Sequence, residues 1–378
     1  MGDEKTMKVV EVVNIPWWNA AAEYCISVAN ALSNRGHNVI VICEKDTPAY
    51  QKAMELGLEV EPVLSFKPVG FISDLLTIKR MFRTIYNDIQ IVNVHTATSQ
   101  SLFVIAKKLF NLRYKMIRTR IDLRRIKHYP LNKLSYKNMD GFIVTNKNDR
   151  DELLLFTHLP ENRVRIIHAG VDTDKFKKYK NVQELKTKFG IKPEGYVVGN
   201  IARRSTVKGH DVFFKSAQII HNEIKDVIFV TAGVDDTISV EDLTEMAKQA
   251  GVLEKTRILG YVDRVEELIN CFDVGVVSSV GSEKHSRITL EYMACGVPVV
   301  GSDIGNIPEL VRDGETGFIV KPKDFVGMAD AVIRLLKDKE LREVFGYNAR
   351  KLVEQKFSIK SFAEITELFY MEVIARKK

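Results

Sequence analysis

The sequence predicts an α/β protein made of two doubly wound, Rossmann-like domains. Short β-branched runs alternate with helix-length amphipathic segments almost throughout the chain, which is typical of parallel sheets covered by helices. At 378 residues the chain also exceeds what one hydrophobic core usually supports. The alternation pauses once, across a lysine-rich stretch that ends near residue 188, so the two domains are expected to join there.

The first half carries six predicted strands, and we assign residues 1–178 to an N-terminal domain. A predicted helix runs from about Ala20 to Arg35, where Gly36 ends it. The predicted strands are Lys8–Asn14, Val39–Cys43, Ile89–His95, Lys115–Thr119, Gly141–Thr145 and Arg163–His168.

The second half repeats the pattern, and we assign residues 179–357 to a C-terminal domain. The segment 358–378 is amphipathic and long enough to return to the first domain as a helix. The predicted strands are Tyr196–Ile201, Val227–Ala232, Arg257–Leu259, Val274–Ser278 and Val297–Gly301.

The composition is that of an ordinary globular protein, with 45% apolar and 28% charged residues. No apolar run approaches the roughly 18 residues that would span a bilayer, and the first residues lack a signal-peptide core, so we expect a cytoplasmic protein. The cysteines lack metal-ligand spacing and are expected to be buried, reduced thiols. They are Cys25, Cys43, Cys271 and Cys295.

The net charge is +7, and much of the excess lies between Lys107 and Lys137, where eleven Lys/Arg residues face one acid, Asp122. Two interpretations stay open: a solvated face, or a patch that binds the anionic inner surface of the cytoplasmic membrane. Nucleic acid is not expected as a partner, because this stretch has few aromatic side chains to stack on bases.

Several familiar motifs are missing from the sequence. It contains no G-x-G-x-x-G after a strand, no G-x-x-x-x-G-K-[ST], no G-x-S-x-G and no H-E-x-x-H. The usual signatures of nicotinamide, nucleoside triphosphate, serine hydrolase and zinc protease sites are therefore absent.

A basic loop follows the first predicted strand of the second half. It places Arg203 and Lys208 between that strand and a helix, at the carboxyl edge of a parallel sheet. A guanidinium and an ammonium at such an edge could bracket a diphosphate. Taken alone, the loop also fits an ordinary solvated surface.

The segment Val277–Val300 reads as a strand, a loop, a helix beginning near Ser286 and a terminating Gly296. Glu283 and Glu291 lie eight residues apart, or about 80° around an ideal helix, so one belongs to the loop and the other to the helix. An anion over the helix start would meet free N–H groups. The helical carboxylate could accept hydrogen bonds from the hydroxyls of a ribose. The loop carboxylate could accept hydrogen bonds from the hydroxyls of a hexose.

These motifs and their order resemble the retaining, GT-B-fold glycosyltransferases of family 4, also called glycosyl transferases group 1. The matching positions are Glu283-x7-Glu291, the pair Arg203 and Lys208, and the segments 168–176, 296–300, 303–311 and 313–318.

The resemblance implies a GT-B architecture with two domains facing across a cleft. It implies that Arg203 and Lys208 neutralise the departing nucleotide diphosphate, Glu291 holds the ribose and Glu283 contacts the sugar. Neither a metal nor another cofactor is expected, because the two cations stand in for a metal, and the nucleotide sugar is a co-substrate. The remaining predicted donor-binding residues are Tyr261, Val262, His285, Ser286, Arg287 and Ile288.

The acceptor side departs from the family pattern. Asn19-Ala-Ala-Ala-Glu23 replaces the usual glycines, and Thr119-Arg-Ile121 lacks the usual histidine, for which Asp122 or His128 could substitute. Lys284-His-Ser286 replaces the Gly-Phe-Gly after the first glutamate and is expected to alter sugar choice. The predicted acceptor-side residues are Trp18, Asn19, Ala20, Ala21 and Asp122.

Two further sets of side chains allow two interpretations each. His95 follows a strand where the family often has a histidine facing the cleft, so it is predicted as catalytic, with a satisfied core histidine as the alternative. Trp17 and Trp18 could stack on an acceptor sugar or pack against the protein.

The resulting expectation is a retaining transfer of a glycosyl unit from a nucleotide diphosphate sugar to an acceptor hydroxyl. The expected acceptor is a glycan or a lipid-linked glycan in cell-envelope, lipopolysaccharide or glycolipid synthesis. Two alternatives remain: a nucleotide-sugar epimerase of the UDP-GlcNAc 2-epimerase type with the same fold, and a non-catalytic nucleotide-sugar-binding protein.

Overall fold

The computed structural model describes residues 6–62, 70–121, 126, 130–281 and 283–376 of the chain. These residues form two compact units, each with its own parallel sheet and its own hydrophobic core. The first unit contains the chain up to Gly170 and again from Ile359, and the second contains Val171–Ser358.

The first unit has a seven-stranded sheet in the order β3-β2-β1-β4-β5-β6-β7, in which neighbouring strands are parallel. The strand order reverses between β1 and β4, and ligands of such sheets bind beyond the carboxyl ends of the strands at this switch point. The strands are β1 Lys8–Val13, β2 Asn38–Cys43, β3 Glu59–Glu61, β4 Ile91–Val94, β5 Lys115–Arg120, β6 Gly141–Val144 and β7 Val164–Ile166.

Side chains alternate across this sheet and feed two cores. On β1, Val9 and Val13 join the core on one face, whereas Val10 and Val12 join the core on the other, as the twofold period of a strand requires. The helices that cover the two faces are α1 Ala20–Ser33, α2 Pro48–Glu55, α3 Phe71–Arg80, α4 Ala97–Phe110, α5 Pro130–Lys137 and α6 Lys147–Thr157. A π-helical turn, Met81–Ile85, extends α3.

The second unit has a six-stranded sheet in the order β10-β9-β8-β11-β12-β13, again parallel between its neighbours. Its strands are β8 Tyr196–Ile201, β9 Val227–Ala232, β10 Thr256–Leu259, β11 Val274–Val277, β12 Val299–Ser302 and β13 Gly317–Val320. Its helices are α7 Val182–Lys188, α8 His210–Glu223, α9 Val240–Gln249, α10 Val265–Ile269, α11 Arg287–Ala294, α12 Ile307–Leu310, α13 Phe325–Lys337 and α14 Lys339–Lys356.

The last helix, α15 Ile359–Ala375, belongs to the first unit and packs on α1. Phe369 and Tyr370 lie in the core of that unit, and the Tyr370 hydroxyl donates to Glu11 Oε1 at 2.6 Å. Arg35 on the surface of the unit holds Glu367 of α15 with an N–O distance of 2.6 Å. Apolar burial and these polar contacts together hold the end of the chain against the first sheet.

Two strands were not predicted, β3 and β13, and both are edge strands. Edge strands face solvent along one side, so their residues are less completely buried than those of central strands. β3 has no buried residue and β13 has one, whereas the central strands are mostly buried. The sequence of β3, Glu-Val-Glu, lacks an apolar run, whereas β13 has the same Gly-Phe-Ile-Val sequence as the predicted strand β6, so its local pattern does not explain why it was missed.

The boundary between the units lies after Gly170, eight residues before the predicted one. Phe176 is buried in the core of the second unit, and Val171 N–H donates to Phe357 O at 2.8 Å. Arg350 Nη2 donates to Thr173 O at 2.9 Å. These contacts attach the connecting segment to the second unit. The sequence of this segment nevertheless has the polar composition of a linker.

The four cysteines are buried and unpaired as thiols, as predicted. Among the residues that the structure describes, no helix combines the length and apolarity needed to cross a bilayer.

Candidate donor site

Two of the predicted donor residues, Lys208 and Glu283, meet at the switch point of the second sheet. β8 and β11 are neighbours there, with Val198 opposite Val274 and Gly199 opposite Gly275. Both strands end at the same carboxyl edge, so the loop after β8 meets the loop after β11. This is where the sequence predicted an anion-binding edge.

Gly209 lets the two loops approach closely. Its φ of +66° lies in the left-handed region, and a Cβ at this position would lie 2.1 Å from Ser278 O. Ser278 Oγ in turn donates to Lys208 O at 3.0 Å. A glycine at the start of α8 therefore positions Lys208 directly against the loop after β11.

Lys208 and Glu283 form an ion pair through the Lys208 ammonium and Glu283 Oε1. Ser279 Oγ also donates to Glu283 Oε1, at 2.6 Å. Glu283 is buried, whereas about a fifth of the Lys208 side chain, 21%, stays exposed. The ammonium is thus held by a buried carboxylate and still reaches the surface.

Asn306, which the sequence did not single out, organises the loop around Glu283. Its backbone N–H donates to Glu283 O at 2.9 Å, and its side-chain Oδ1 accepts from Ser286 N–H at 2.9 Å. Gly305 allows this approach, because a Cβ there would lie 2.0 Å from Glu283 O. Asn306 is buried, and only its Gly-Asn context near the donor motifs could have drawn attention to it.

Two of the amides predicted to touch sugar and phosphate already have partners. Ser286 N–H is bonded to Asn306, and Arg287 N–H donates to His285 O at 3.1 Å. In this structure the start of α11 is therefore less open to an anion than the sequence predicted. Ser286 itself is buried and its hydroxyl lies 2.9 Å from Thr289 Oγ1, while Ile288 packs on the core of the second unit.

Glu291 lies one turn into α11 and is buried against the half-exposed Arg287. Arg287 Nε lies 2.8 Å from Glu291 Oε1, an i,i+4 pair on one helical face. Burial raises the pKa of the Glu291 carboxyl, and the Arg287 charge partly opposes that effect. The Glu291 carboxylate in this position can accept hydrogen bonds from hydroxyl groups.

Arg203 is exposed, with Nε 3.4 Å from Asp236 Oδ2. Its carbonyl lies 3.3 Å from His210 Nε2, and burial lowers the pKa of His210, which favours a neutral imidazole that donates to that carbonyl. The next residue, Arg204, is the buried one of the two. It forms an ion pair with Asp235 and donates to Leu259 O at 3.2 Å, which ties the loop to the neighbouring strands.

Tyr261 and Val262 follow β10, which is the edge strand of the second sheet. The Tyr261 side chain is exposed, whereas Val262 packs against the core. His285 lies in the turn before α11 and is half-buried. These three residues border the loops at the carboxyl edge.

His95, predicted as catalytic, lies in the interior of the first unit. It is fully buried, with Nε2 2.6 Å from Glu11 Oε2 and 3.2 Å from Asn93 Nδ2. Asn93 and Tyr370 donate to the same Glu11 carboxylate, so His95 is one member of a closed polar cluster. This placement supports the interpretation of His95 as a buried core histidine. Glu11 links it to Tyr370 of α15.

Glu11, Cys25 and His95 are the only described residues whose ligand atoms lie close enough together for one metal ion. The Glu11 carboxylate already receives hydrogen bonds from Asn93 and Tyr370 and contacts His95. Burial raises the pKa of the Cys25 thiol, which disfavours the thiolate that a metal would need. Hydrogen bonding accounts for the Glu11 carboxylate, whereas His95 Nδ1 is buried without a partner among the described residues.

The acceptor-side residues lie after β1, at the carboxyl edge of the first sheet. Trp17 and Trp18 are both exposed rather than packed. Asn19 caps α1, with Oδ1 accepting from Ala21 N–H and Ala22 N–H at 3.0 Å, and the half-buried Ala20 begins the helix. Ile121 is buried in the core.

Asp122 and His128, the proposed substitutes for the family histidine, lie outside the described residues.

Among the described residues of the basic stretch 107–137, not every basic side chain lies on the surface. Arg118 and Arg120 are fully buried; Arg118 donates to Val94 O, and Arg120 lies 3.4 Å from Asp149 Oδ1. Lys107 Nζ lies 3.2 Å from Asp140 Oδ2. The strand β5 is buried along nearly its whole length, so the linear count of charges overstates the exposed patch.

Two family models match the chain. The model described as Glycosyltransferase Family 4 matches residues 21–175, and the model described as Glycosyl transferases group 1 matches residues 181–352. The matches are consecutive and together leave little of either unit uncovered. The chain therefore belongs to the group 1, family 4 glycosyltransferases, which confirms the resemblance seen in the motifs.

A curated relative and two solved structures agree with this assignment. The N-acetyl-alpha-D-glucosaminyl L-malate synthase of Bacillus anthracis is 28% identical over 220 residues, which are 58% of this chain and 56% of that protein. The chain thus matches just over half the length of this relative.

Among solved structures, a glycosyltransferase from Rickettsia africae has a TM-score of 0.87 at 18% identity, covering 99% of this chain and 100% of that one. HepE of Anabaena in complex with UDP has a TM-score of 0.82 at 17% identity, and the match covers 97% of this chain and 100% of HepE. At such identities the likeness concerns the fold, and it confirms the predicted GT-B architecture with two Rossmann-like units.

Proposed function

We propose that the chain is a glycosyltransferase that moves a sugar from a nucleotide diphosphate sugar to an acceptor hydroxyl with retention of configuration. The observation that carries this proposal is the contact of Lys208 with Glu283 at the switch point of the second sheet, beside the helix that bears Glu291. A cation and a carboxylate meet where parallel sheets bind ligands. Family membership and the names of its relatives support the same reaction.

The proposed roles follow from charge and exposure. The Lys208 ammonium reaches the surface and would neutralise the diphosphate, aided by the exposed guanidinium of Arg203. Glu291 would accept hydrogen bonds from the ribose hydroxyls, and Glu283 would accept hydrogen bonds from the hydroxyls of the transferred sugar. With two cations in these positions the transfer would need no metal.

The donor we propose to test first is a UDP sugar, because HepE holds UDP and the Bacillus anthracis relative is named for transfer of N-acetylglucosamine. For the acceptor we propose a glycan or lipid-linked glycan of the cell envelope, met at the inner face of the cytoplasmic membrane. The exposed indoles of Trp17 and Trp18, at the carboxyl edge of the first sheet, offer flat faces on which a sugar ring can stack.

A thermal-shift screen of UDP, GDP and ADP sugars tests donor binding. One nucleotide class should raise the melting temperature of the wild-type protein, since a ligand that binds only the folded state stabilises it. Lys208→Ala should lose that shift and reduce kcat/KM by roughly 10²–10³-fold, in line with the loss of one preorganised charge. Lys215→Ala, which removes an exposed lysine on α8 of the same unit, is the matched control and should keep both the thermal shift and the kcat/KM of wild type.

Product analysis by NMR tests the reaction itself. Donor and acceptor together should yield a glycoside with the donor's anomeric configuration, and inversion would refute retention. Conversion of the donor without any acceptor would identify an epimerase instead. Nucleotide binding without turnover on any acceptor would identify a binding protein.

A further inference from the structure

Two neighbouring helices of the first unit leave large apolar side chains in solvent. On α3, Leu75 and Ile78 face the core, while Ile72 and Leu76 are 72% and 55% exposed on the opposite side. These two residues are an i,i+4 pair, so they form one stripe. A lone exposed apolar residue is ordinary, but a helix with an apolar stripe on both sides is not.

The adjacent helix α4 repeats this arrangement. Ile105 and Leu109 are 41% and 64% exposed and are again an i,i+4 pair. The two helices touch near their carboxyl ends, where Lys79 Nζ lies 5.3 Å from the centre of the Phe110 ring and Arg83 Nη2 donates to Phe110 O at 3.1 Å. We call the outward faces of these helices the α3–α4 surface.

The α3–α4 surface is also strongly basic. Residues 71–113 contain six Lys/Arg and two acids. Both acids are already engaged: Asp74 is buried beneath α3, and Asp88 forms an ion pair with Lys8. The basic residues of the segment are Lys79, Arg80, Arg83, Lys107, Lys108 and Arg113, of which Arg80, Arg83 and Lys108 are exposed beside the apolar stripes.

We propose that the α3–α4 surface docks on an anionic lipid surface, with both helices lying in the interface. Exposed aliphatic side chains flanked by lysine and arginine are the composition that enters a headgroup region. A second copy of the chain fits this surface poorly, because pairing two such faces would bring their cations together. The proposal stands independently of the proposed transferase activity, and it assigns membrane contact to α3 and α4, of which only the end of α4, residues 107–110, belongs to the stretch 107–137.

Flotation of the full chain with phosphatidylcholine vesicles, with and without phosphatidylglycerol, tests the proposal. The wild-type protein should bind the anionic vesicles, bind neutral ones far less, and be released by salt. Ile72→Gln with Leu76→Gln should weaken binding about tenfold or more, because aliphatic burial is lost. Arg80→Gln with Lys108→Gln should weaken it roughly twentyfold at low salt.

Matched controls use side chains of the same kind on other faces. Leu155→Gln replaces an equally exposed leucine on α6, and Lys351→Gln with Lys360→Gln removes two exposed lysines elsewhere; both variants should bind as the wild type does. All of the replaced residues are exposed, so a melting temperature within a few degrees of wild type verifies folding.

Three results would overturn the proposal. They are failure of the wild-type protein to bind anionic vesicles, undiminished binding of the α3 double variant, and a wild-type dimer in solution that this variant dissociates. The last outcome would mean that the surface pairs copies of the chain. Donor binding in the thermal-shift screen is independent of all three, so failure here and failure of the proposed function are distinguishable.

Discussion

The Lys208 ammonium contacts the Glu283 carboxylate, although the two residues lie 75 positions apart and are assigned to different parts of the donor. The pair holds both groups at the switch point before any ligand arrives. Glu283 is also held by Ser279, and its carbonyl by Asn306. A diphosphate that reaches Lys208 would therefore meet a cation that is already positioned.

The first prediction concerns the energy of this pair. A double-mutant cycle of Lys208→Ala and Glu283→Gln in urea unfolding should give a coupling of about 0.5–3 kcal/mol, because the carboxylate is buried. The exposed pair of Lys337 with Glu223 is the control, and its coupling should stay below about 1 kcal/mol. Additive effects at Lys208 and Glu283 would show that the contact does not exist in solution.

The second prediction separates binding from stability at Glu291. Burial raises the pKa of this carboxyl in the folded state, so the charged form costs stability above that pKa, and the cost disappears as the pH falls through it. Glu291→Gln should therefore leave the unliganded protein equally or more stable at neutral pH. It should nevertheless weaken nucleotide binding by about 1–3 kcal/mol, as titration calorimetry would measure.

Glu343→Gln, at an exposed position on α14, controls for the loss of one negative charge and should change neither quantity. A drop in the stability of unliganded Glu291→Gln with unchanged nucleotide affinity would make Glu291 a structural residue.

The third prediction concerns Asn306. Asn306→Ala leaves the Ser286 N–H without its acceptor and should cost about 1–3 kcal/mol in the free energy of unfolding. It should also raise KM for the donor, because the loop that carries Glu283 loses a restraint. Asn306→Asp keeps the acceptor and should retain most of the stability.

The control for this side-chain deletion is Asn348→Ala, which removes an exposed amide that donates to Glu315 O, and it should stay within about 0.5 kcal/mol of wild type. Equal costs for both alanine variants would contradict the role given to Asn306.

The fourth prediction is a pH dependence from His168. Burial lowers the pKa of this imidazole from 6.5 to about 4, against a hydrogen bond with the Thr145 backbone. Between these pH values the unfolded chain binds a proton that the folded chain does not, so stability should fall as the pH drops from 6.5 to 4. The loss should be on the order of 3 kcal/mol and should be absent in His168→Gln.

Unfolding in urea at a series of pH values measures that slope. His158→Asn replaces an exposed histidine at the end of α6 and should leave the slope unchanged. An identical slope in wild type and His168→Gln would assign the acid sensitivity to other groups.

Much of the fold was predictable because central strands are recognisable by themselves. Runs such as Val227–Ala232 are buried from end to end, and the predicted bounds coincide with β9. The edge strand β3 was not predicted because its sequence, Glu-Val-Glu, lacks an apolar run, whereas β13 was not predicted although its sequence is the same as that of β6. The early domain boundary was not predicted because polar residues 171–178 are attached by Phe176 and by hydrogen bonds that no local pattern reveals.

The sequence alone determined the family, the two α/β units and the segments that carry Lys208, Glu283 and Glu291, because spacing along the chain encodes strands, loops and helix starts. The tertiary structure alone decided which distant groups meet. It paired Lys208 with Glu283, placed Asn306 on Ser286 and buried His95 beneath α15. Those contacts depend on the order of strands in each sheet, which brings together residues that the linear chain keeps far apart.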